Sequence, residues 1–130
     1  MSDLTELITG LPCFKAPSNI TPLGGGITNT NVTVEDEDCK YVVRIGSDIA
    51  EHGVMRWNEL VLSQAAYQLG ISPKVIYHKT GVLVLEFIDA QTLNEAAVRE
   101  PGNLKRIINL VAKTHRGIGK CLHSPILTFW

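Results

Sequence analysis

A chain of 130 residues with 45% hydrophobic and 19% charged residues lies within the range of one ordinary globular domain, a composition that excludes an intrinsically disordered polymer. Net charge is −1, yet residues 1–100 hold all 13 acidic residues against 7 Lys and Arg, while residues 101–130 hold 5 basic residues and no acid. Five positive charges without interleaved aromatics read as the solvated face of a helix, so no nucleic-acid partner is expected.

In chain order, the first segment is a short helix over about residues 2–9, capped by Ser2 or Asp3 and followed by a Pro-containing loop. Its sequence, MSDLTELITG, lacks the basic start and small-residue cleavage site of a secretory signal. No apolar run reaches the roughly 18 residues of a membrane span, so a cytoplasmic protein with no membrane partner is expected. Cys13, Cys39 and Cys121 are odd in number, widely spaced and part of no C-x-x-C pair. They are read as small apolar residues in a reducing compartment, with no disulfide framework and no metal site.

Strands follow. Ile20–Leu23 leads into three glycines, and the residues from Ile27 to Val34 then have the alternation and β-branched content of a second strand. The acidic run Glu35-Asp36-Glu37-Asp38 is expected to turn the chain, and Tyr41-Val42-Val43-Arg44-Ile45 reads as a third strand, interrupted by the charge of Arg44. From about Met55 to Leu69, apolar residues recur at helical spacing, with Gly70 as the stop signal. Two more strands, about Lys74–His78 and Val82–Ile88, are joined through Lys79-Thr80-Gly81. Thr92-Leu93-Asn94-Glu95 has the capping-box form, predicting a short helix capped by Thr92. A longer helix then lines up Leu104, Ile107, Ile108, Val111, His115 and Ile118 on one face, with Arg106, Asn109, Lys113 and Lys120 on the other. His115 is expected to be packed and hydrogen-bonded there.

This order is not an alternating βαβ pattern. Three early strands in hairpin succession and one inserted helix predict an α+β fold, a mostly antiparallel sheet of about five strands carrying that helix on one face, followed by C-terminal helices. The glycines are therefore not a dinucleotide fingerprint: no helix follows them, and Gly24-x-Gly26-x-x-Asn29 lacks the third glycine. Nor do they form a Walker loop, because no Gly-Lys-Ser/Thr follows. Two uses remain open. The segment is either a structural turn or a lid in which the amides of Gly25, Gly26 and Ile27 approach phosphate oxygens, with the Thr28 and Asn29 side chains as added donors. The lid reading gains from a second feature, since Arg44 lies on a strand 15 residues before Glu59 on the helix. If helix and sheet pack face to face, the two can pair over phosphates, as the strand lysine and helix glutamate of protein kinases do.

With those residues in place, the stretches "PLGGGITNTNVTV", "YVVRIG", "RWNELVLSQAAYQLGISPKVIY" and "GVLVLEFIDAQTL" resemble the N-terminal lobe of choline/ethanolamine kinases and of the related aminoglycoside-phosphotransferase and thiamine-kinase-like enzymes. The resemblance runs from about Ile20 to Leu93. It implies a protein-kinase-like N-lobe over residues 1–90, with residues 91–130 as linker and first helix toward a second lobe. It also implies ATP as the nucleotide. Gly24, Gly25, Gly26, Thr28 and Asn29 would cover the phosphates, Arg44 would stand for the strand lysine, Glu59 would orient Arg44, and the backbone of Glu86, Phe87 and Ile88 would bind adenine. Asp89-Ala90 departs from the family's glycine after this hinge.

Transfer to an alcohol needs an Asp as base and further Asp or Asn side chains for magnesium, in a pattern like H-x-D-x-x-x-x-N. His115-Arg116-Gly117 matches for two residues, but Gly117 replaces the Asp and Leu122 the Asn. No Asp follows Asp89 and no Glu follows Glu100. Leu122-His123-Ser124 resembles the "Leu-His-Ser" that follows the family's first C-lobe helix, so the catalytic lobe and its magnesium ligands are expected beyond this point and the chain by itself is expected to be inactive. Two functions stand: an ATP-binding lobe of a small-alcohol kinase, or a non-catalytic assembly module. Ile126, Leu127, Phe129 and Trp130 with Ile107, Ile108 and Val111 leave apolar surface for self-association or a C-lobe partner.

Overall fold

The computed structural model describes residues 2–24, 29–49 and 55–123. Its elements are α1 (Ser2–Thr9), β1 (Pro17–Leu23), β2 (Thr30–Asp36), β3 (Cys39–Ile45), α2 (Arg56–Gln68), β4 (Val75–Lys79), β5 (Val82–Glu86), α3 (Glu95–Arg99) and α4 (Pro101–Gly117), closed by a 3-10 helix at Ile118–Cys121. The strands form one antiparallel five-stranded sheet in the order β1-β2-β3-β5-β4. This is the α+β fold expected from the sequence, with α2 inserted between β3 and β4.

Register explains how the sheet divides its side chains. Val32 pairs with Val43, and Val43 with Val84, so these valines lie side by side on one face. With Val34 and Val82 they form the buried core, against Ile8, Leu11 and Phe14 from α1 and the segment after it. Val32, Val34, Val43, Val84 and Ile8 are all fully buried. The apolar core of the sheet is therefore closed by α1, which the sequence did not single out, while α2 packs on the other face as expected. Ala65 is the one buried residue of α2. The opposite face carries the row Asn31, Arg44, Leu83 and His78, neighbours in consecutive strand pairings. That row is the face on which α2 sits.

Two local expectations shift. The acidic turn contracts to Glu37-Asp38, because Glu35 and Asp36 continue β2 as far as the Asp36–Cys39 pair. Asp36 is buried instead of exposed in a turn: its carboxylate accepts the Lys15 amide at 3.0 Å and the Ala16 amide at 2.6 Å, which ties the α1–β1 link to the sheet. The cap of α3 is Asn94, not Thr92. The Asn94 side chain accepts the Ala97 amide at 2.9 Å, three residues on, so the helix begins two residues later than a Thr92 cap requires.

The end of α2 follows the sequence signal closely. Gly70 takes φ +75, its amide reaches Tyr67 O, and the Ile71 amide reaches Ala66 O, the paired bonds of a Schellman stop. Cys39 is exposed rather than packed, Cys13 and Cys121 are half-buried, and all three are free thiols. His115 is exposed on α4, not packed. Among the described residues, no helix is long and apolar enough to cross a membrane.

Candidate functional site

The Arg44 side chain leaves β3 on the α2 face and meets Glu59 in the first turn of α2. Its Nη1 donates to Glu59 Oε1, and its Nε donates to Asn31 Oδ1 at 3.2 Å from the neighbouring strand. Arg44 Nη2 has no partner among the described residues, and the side chain is 33% exposed. The other oxygen of Glu59 is also occupied. Arg56, three residues earlier on α2, donates from Nη1 to Glu59 Oε2 at 2.9 Å. Glu59 is thus held between two guanidiniums, one from the sheet and one from its own helix, and the three side chains carry a net positive charge.

Arg56 is anchored in turn. Its Nε donates to Ser47 O at 2.9 Å, and its backbone amide donates to Asp48 Oδ1 at 2.7 Å. Met55, the N-cap residue of α2, has no capping side chain, so the carboxylate of Asp48 from the β3–α2 link satisfies an amide that the helix start leaves open. Gly46 lies where these groups converge. Its amide donates to Gly81 O at 3.0 Å, and a Cβ there would stand 2.8 Å from Asn29 Oδ1 and collide with the Arg56 guanidinium. A side chain at this position forces the Arg56 head or the Asn29 amide to shift. Asn29 Oδ1 is itself buried and has no hydrogen-bond donor among the described residues. An open cleft of about 950 Å3 follows this end of the sheet, lined by Arg44, Asp48, Arg56, Trp57, Glu59 and His78 among others.

The glycine segment joins β1 to β2 at the same end, since Leu23 pairs with Asn31 and Thr30 with Ile45. Gly24 is exposed with open space around it, and Asn29 is half-buried beside Gly46. Gly25, Gly26 and Thr28 lie outside the described residues.

Glu86, Phe87 and Ile88 leave the sheet at the opposite end of the β3–β5 pair, where Glu86 faces Tyr41. Two of the three amides expected to bind adenine are already used: the Glu86 amide donates to Lys74 O at 2.9 Å and that of Phe87 to Lys40 O at 3.2 Å. Lys40 Nζ also sits 4.6 Å above the Phe87 ring. The Ile88 amide has no partner among the described residues, and the residue is 55% exposed. Of the predicted site residues, then, Arg44, Glu59 and Asn29 come together at one end and the 86–88 segment stands apart at the other. Sequence reasoning missed Asn31, Gly46, Asp48 and Arg56. The i, i+3 spacing of Arg56 and Glu59 was the available signal.

Among the described residues no group of three or more His, Cys, Asp and Glu side chains comes close enough to hold a metal ion.

A five-stranded antiparallel sheet, a glycine segment between its first two strands, and a strand cation paired with a glutamate of the inserted helix define the N-lobe of a kinase-like protein. The sequence profile of the choline/ethanolamine kinases matches residues 20–123, and the chain belongs to that family. Among solved structures, an ethanolamine kinase from Plasmodium vivax is similar, with a TM-score of 0.65 and 24% identity, over 76% of this chain and 26% of that kinase. At that identity the likeness speaks for the fold, and the chain spans about a quarter of that kinase's length. No curated protein sequence matches.

Proposed function

We propose that these residues are the ATP-binding lobe of a small-alcohol phosphotransferase of the choline/ethanolamine type, with residues 1–90 as the lobe and 91–130 as the link toward a catalytic lobe. The observation that carries the reading is the Arg44–Glu59 pair in the lining of the cleft, with Arg44 Nη2 unpartnered among the described residues. A planar, partly exposed fork oriented by a carboxylate suits the oxygens of the α- and β-phosphates. The adenine would lie at the 86–88 segment, received by its carbonyls and the free Ile88 amide. Arg44 pairs with Leu83, three positions before Glu86. At about 3.3 Å per residue, roughly 10 Å separates the two ends, a span suited to a nucleotide laid along β5.

In this reading Gly24, Gly25, Gly26, Thr28 and Asn29 cover the phosphates, Arg44 binds them and Glu59 fixes Arg44. The base and the magnesium ligands of transfer are not among these 130 residues, whose last aspartate is Asp89. Binding by this chain is weak, with a Kd of about 1 mM, because a one-sided cleft buries little of the nucleotide. Titration of ATP into the 15N-labelled chain tests the reading. Shifts at residues 23–31, 44 and 86–88 support it, and shifts confined elsewhere oppose it. No ATP turnover with choline or ethanolamine is expected, and measurable turnover would overturn the assignment of the base to another lobe. The three free thiols fit a reducing, cytoplasmic setting.

A second reading, a non-catalytic assembly module, is favoured by α4. Leu104, Ile108, Leu110 and Val111 on that helix are 44–57% exposed. Leu104, Ile108 and Val111 share one helix face, and such a stripe suits a C-lobe partner or self-association. Light scattering across a concentration series separates the readings: growth in mass supports assembly, and a monomer throughout opposes it.

A further inference from the structure

We propose that Arg56 is a positioning residue for the nucleotide phosphates, acting through Glu59 on Arg44. This rests on the reading that Arg44 meets those phosphates. A carboxylate held by one arginine through one oxygen is free to rotate about its terminal bond and to carry its partner with it. Here the second oxygen is taken as well, by Arg56, so the plane of the Glu59 carboxylate is fixed and with it the direction of the Arg44 fork. The head of Arg56 has its own anchor in Ser47 O, its side chain is only 15% exposed, and its amide is tied to Asp48. These contacts staple the first turn of α2 to the segment that directly follows Arg44 on β3. Helix and strand cation then move as a unit.

The same guanidinium reaches toward the glycine segment. Arg56 Nη2 and Asn29 Oδ1 crowd the same side of Gly46, and Asn29 Oδ1 is the buried acceptor without a donor among the described residues. Asn29 ends the glycine segment, so the Arg56 head lies beside that segment as well as holding the helix glutamate that pairs with the strand arginine. With Arg56 largely buried and its donors engaged, its effect on the nucleotide passes through these neighbours and not through direct contact.

The test is an NMR titration of the full 130-residue chain with ATP, made for the parent, Arg44→Ala, Arg56→Gln, Arg56→Lys and the Arg44→Ala/Arg56→Gln double variant, each checked for a folded spectrum. Arg56→Gln is expected to raise the Kd about five- to tenfold and to shift the Arg44 Nε–H signal before any ATP is added. Arg56→Lys, which keeps the charge but not the fork, is expected to restore only part of the affinity. In the Arg44→Ala background Arg56→Gln is expected to change the Kd less than about twofold, because the group it positions is gone. The same loss with and without Arg44 overturns the proposal, as does an unchanged Kd in Arg56→Gln. Should Arg56→Gln fail to fold, Arg56→Lys decides: parental affinity with an unshifted Arg44 signal overturns it. If Arg44→Ala itself leaves the Kd unchanged, the phosphate role of Arg44 falls instead.

Discussion

Replacing Gly46 by alanine probes the junction of the glycine segment, β3 and α2 with a single methyl group. The added Cβ would lie 2.8 Å from Asn29 Oδ1 and inside contact distance of the Arg56 guanidinium. Both are ends of side chains, so relief is available, but Arg56 is held at 2.9 Å by Ser47 O and at 2.9 Å by Glu59 Oε2. Moving its head sacrifices at least one of those bonds. A hydrogen bond to a charged group is worth about 1.5–3 kcal/mol. Alanine also restricts the unfolded chain, which offsets about 0.4–1 kcal/mol. The net loss is therefore about 1–2 kcal/mol, or a fall in Tm of about 3–8 °C for a domain of this size. Thermal denaturation followed by circular dichroism measures it, with Gly24→Ala as control, since nothing stands within 4 Å of a Cβ there. A Gly46→Ala protein melting within about 1 °C of the parent would refute the reasoning, because the crowding would then be relieved without cost.

Asp36→Ala leaves the part-buried amide bonds of Lys15 and Ala16 without their acceptor and is expected to cost about 1–3 kcal/mol in urea denaturation, with Asp36→Asn milder because one oxygen remains. Gly102→Ala, in the first turn of α4 with open space around it, is expected to raise stability by about 0.5 kcal/mol, and a lowered urea midpoint would contradict that. Burial raises the pKa of both Cys13 and Tyr41 above their ordinary values, with the neighbouring Asp36 adding to each. In each case the folded state favours the neutral form, so the stabilisation is complete below the unfolded pKa and is lost as pH rises through the folded one. The urea midpoint is thus expected to hold to about pH 8 and fall above about pH 9, and Tyr41→Phe is expected to flatten that fall.

The sheet was legible because its strands are runs of β-branched residues with one buried face, and α2 because its apolar spacing ends at a glycine that the Schellman turn requires. The Arg44–Glu59 pair was legible only through topology. Fifteen residues of separation say nothing until a strand and the helix after it are packed face to face. The part played by α1 was hidden, since eight residues with three large apolar side chains do not announce a core. Their burial is decided by the opposing valines of β2, β3 and β5, which come together only once the register is set. Asp36 misled for a related reason: an acid in an acidic run reads as solvent-facing, and its burial depends on amides some 20 residues earlier. Arg56 drew no reading from the sequence. Its meaning lies in Ser47 and Asp48, carried by a link with no motif of its own.

The central claim, that the Arg44 face receives the phosphates of ATP, is tested most directly by comparing ATP with adenosine in parallel titrations of the parent and Arg44→Ala. In the parent, ATP is expected to bind with a Kd of about 1 mM and to shift the signals of Arg44, Asn31 and Ile88, while adenosine shifts Ile88 and leaves Arg44 unmoved. In Arg44→Ala the preference for ATP over adenosine is expected to collapse. Equal affinity of the parent for ATP and adenosine, or a preference for ATP that survives the loss of Arg44, would contradict the claim.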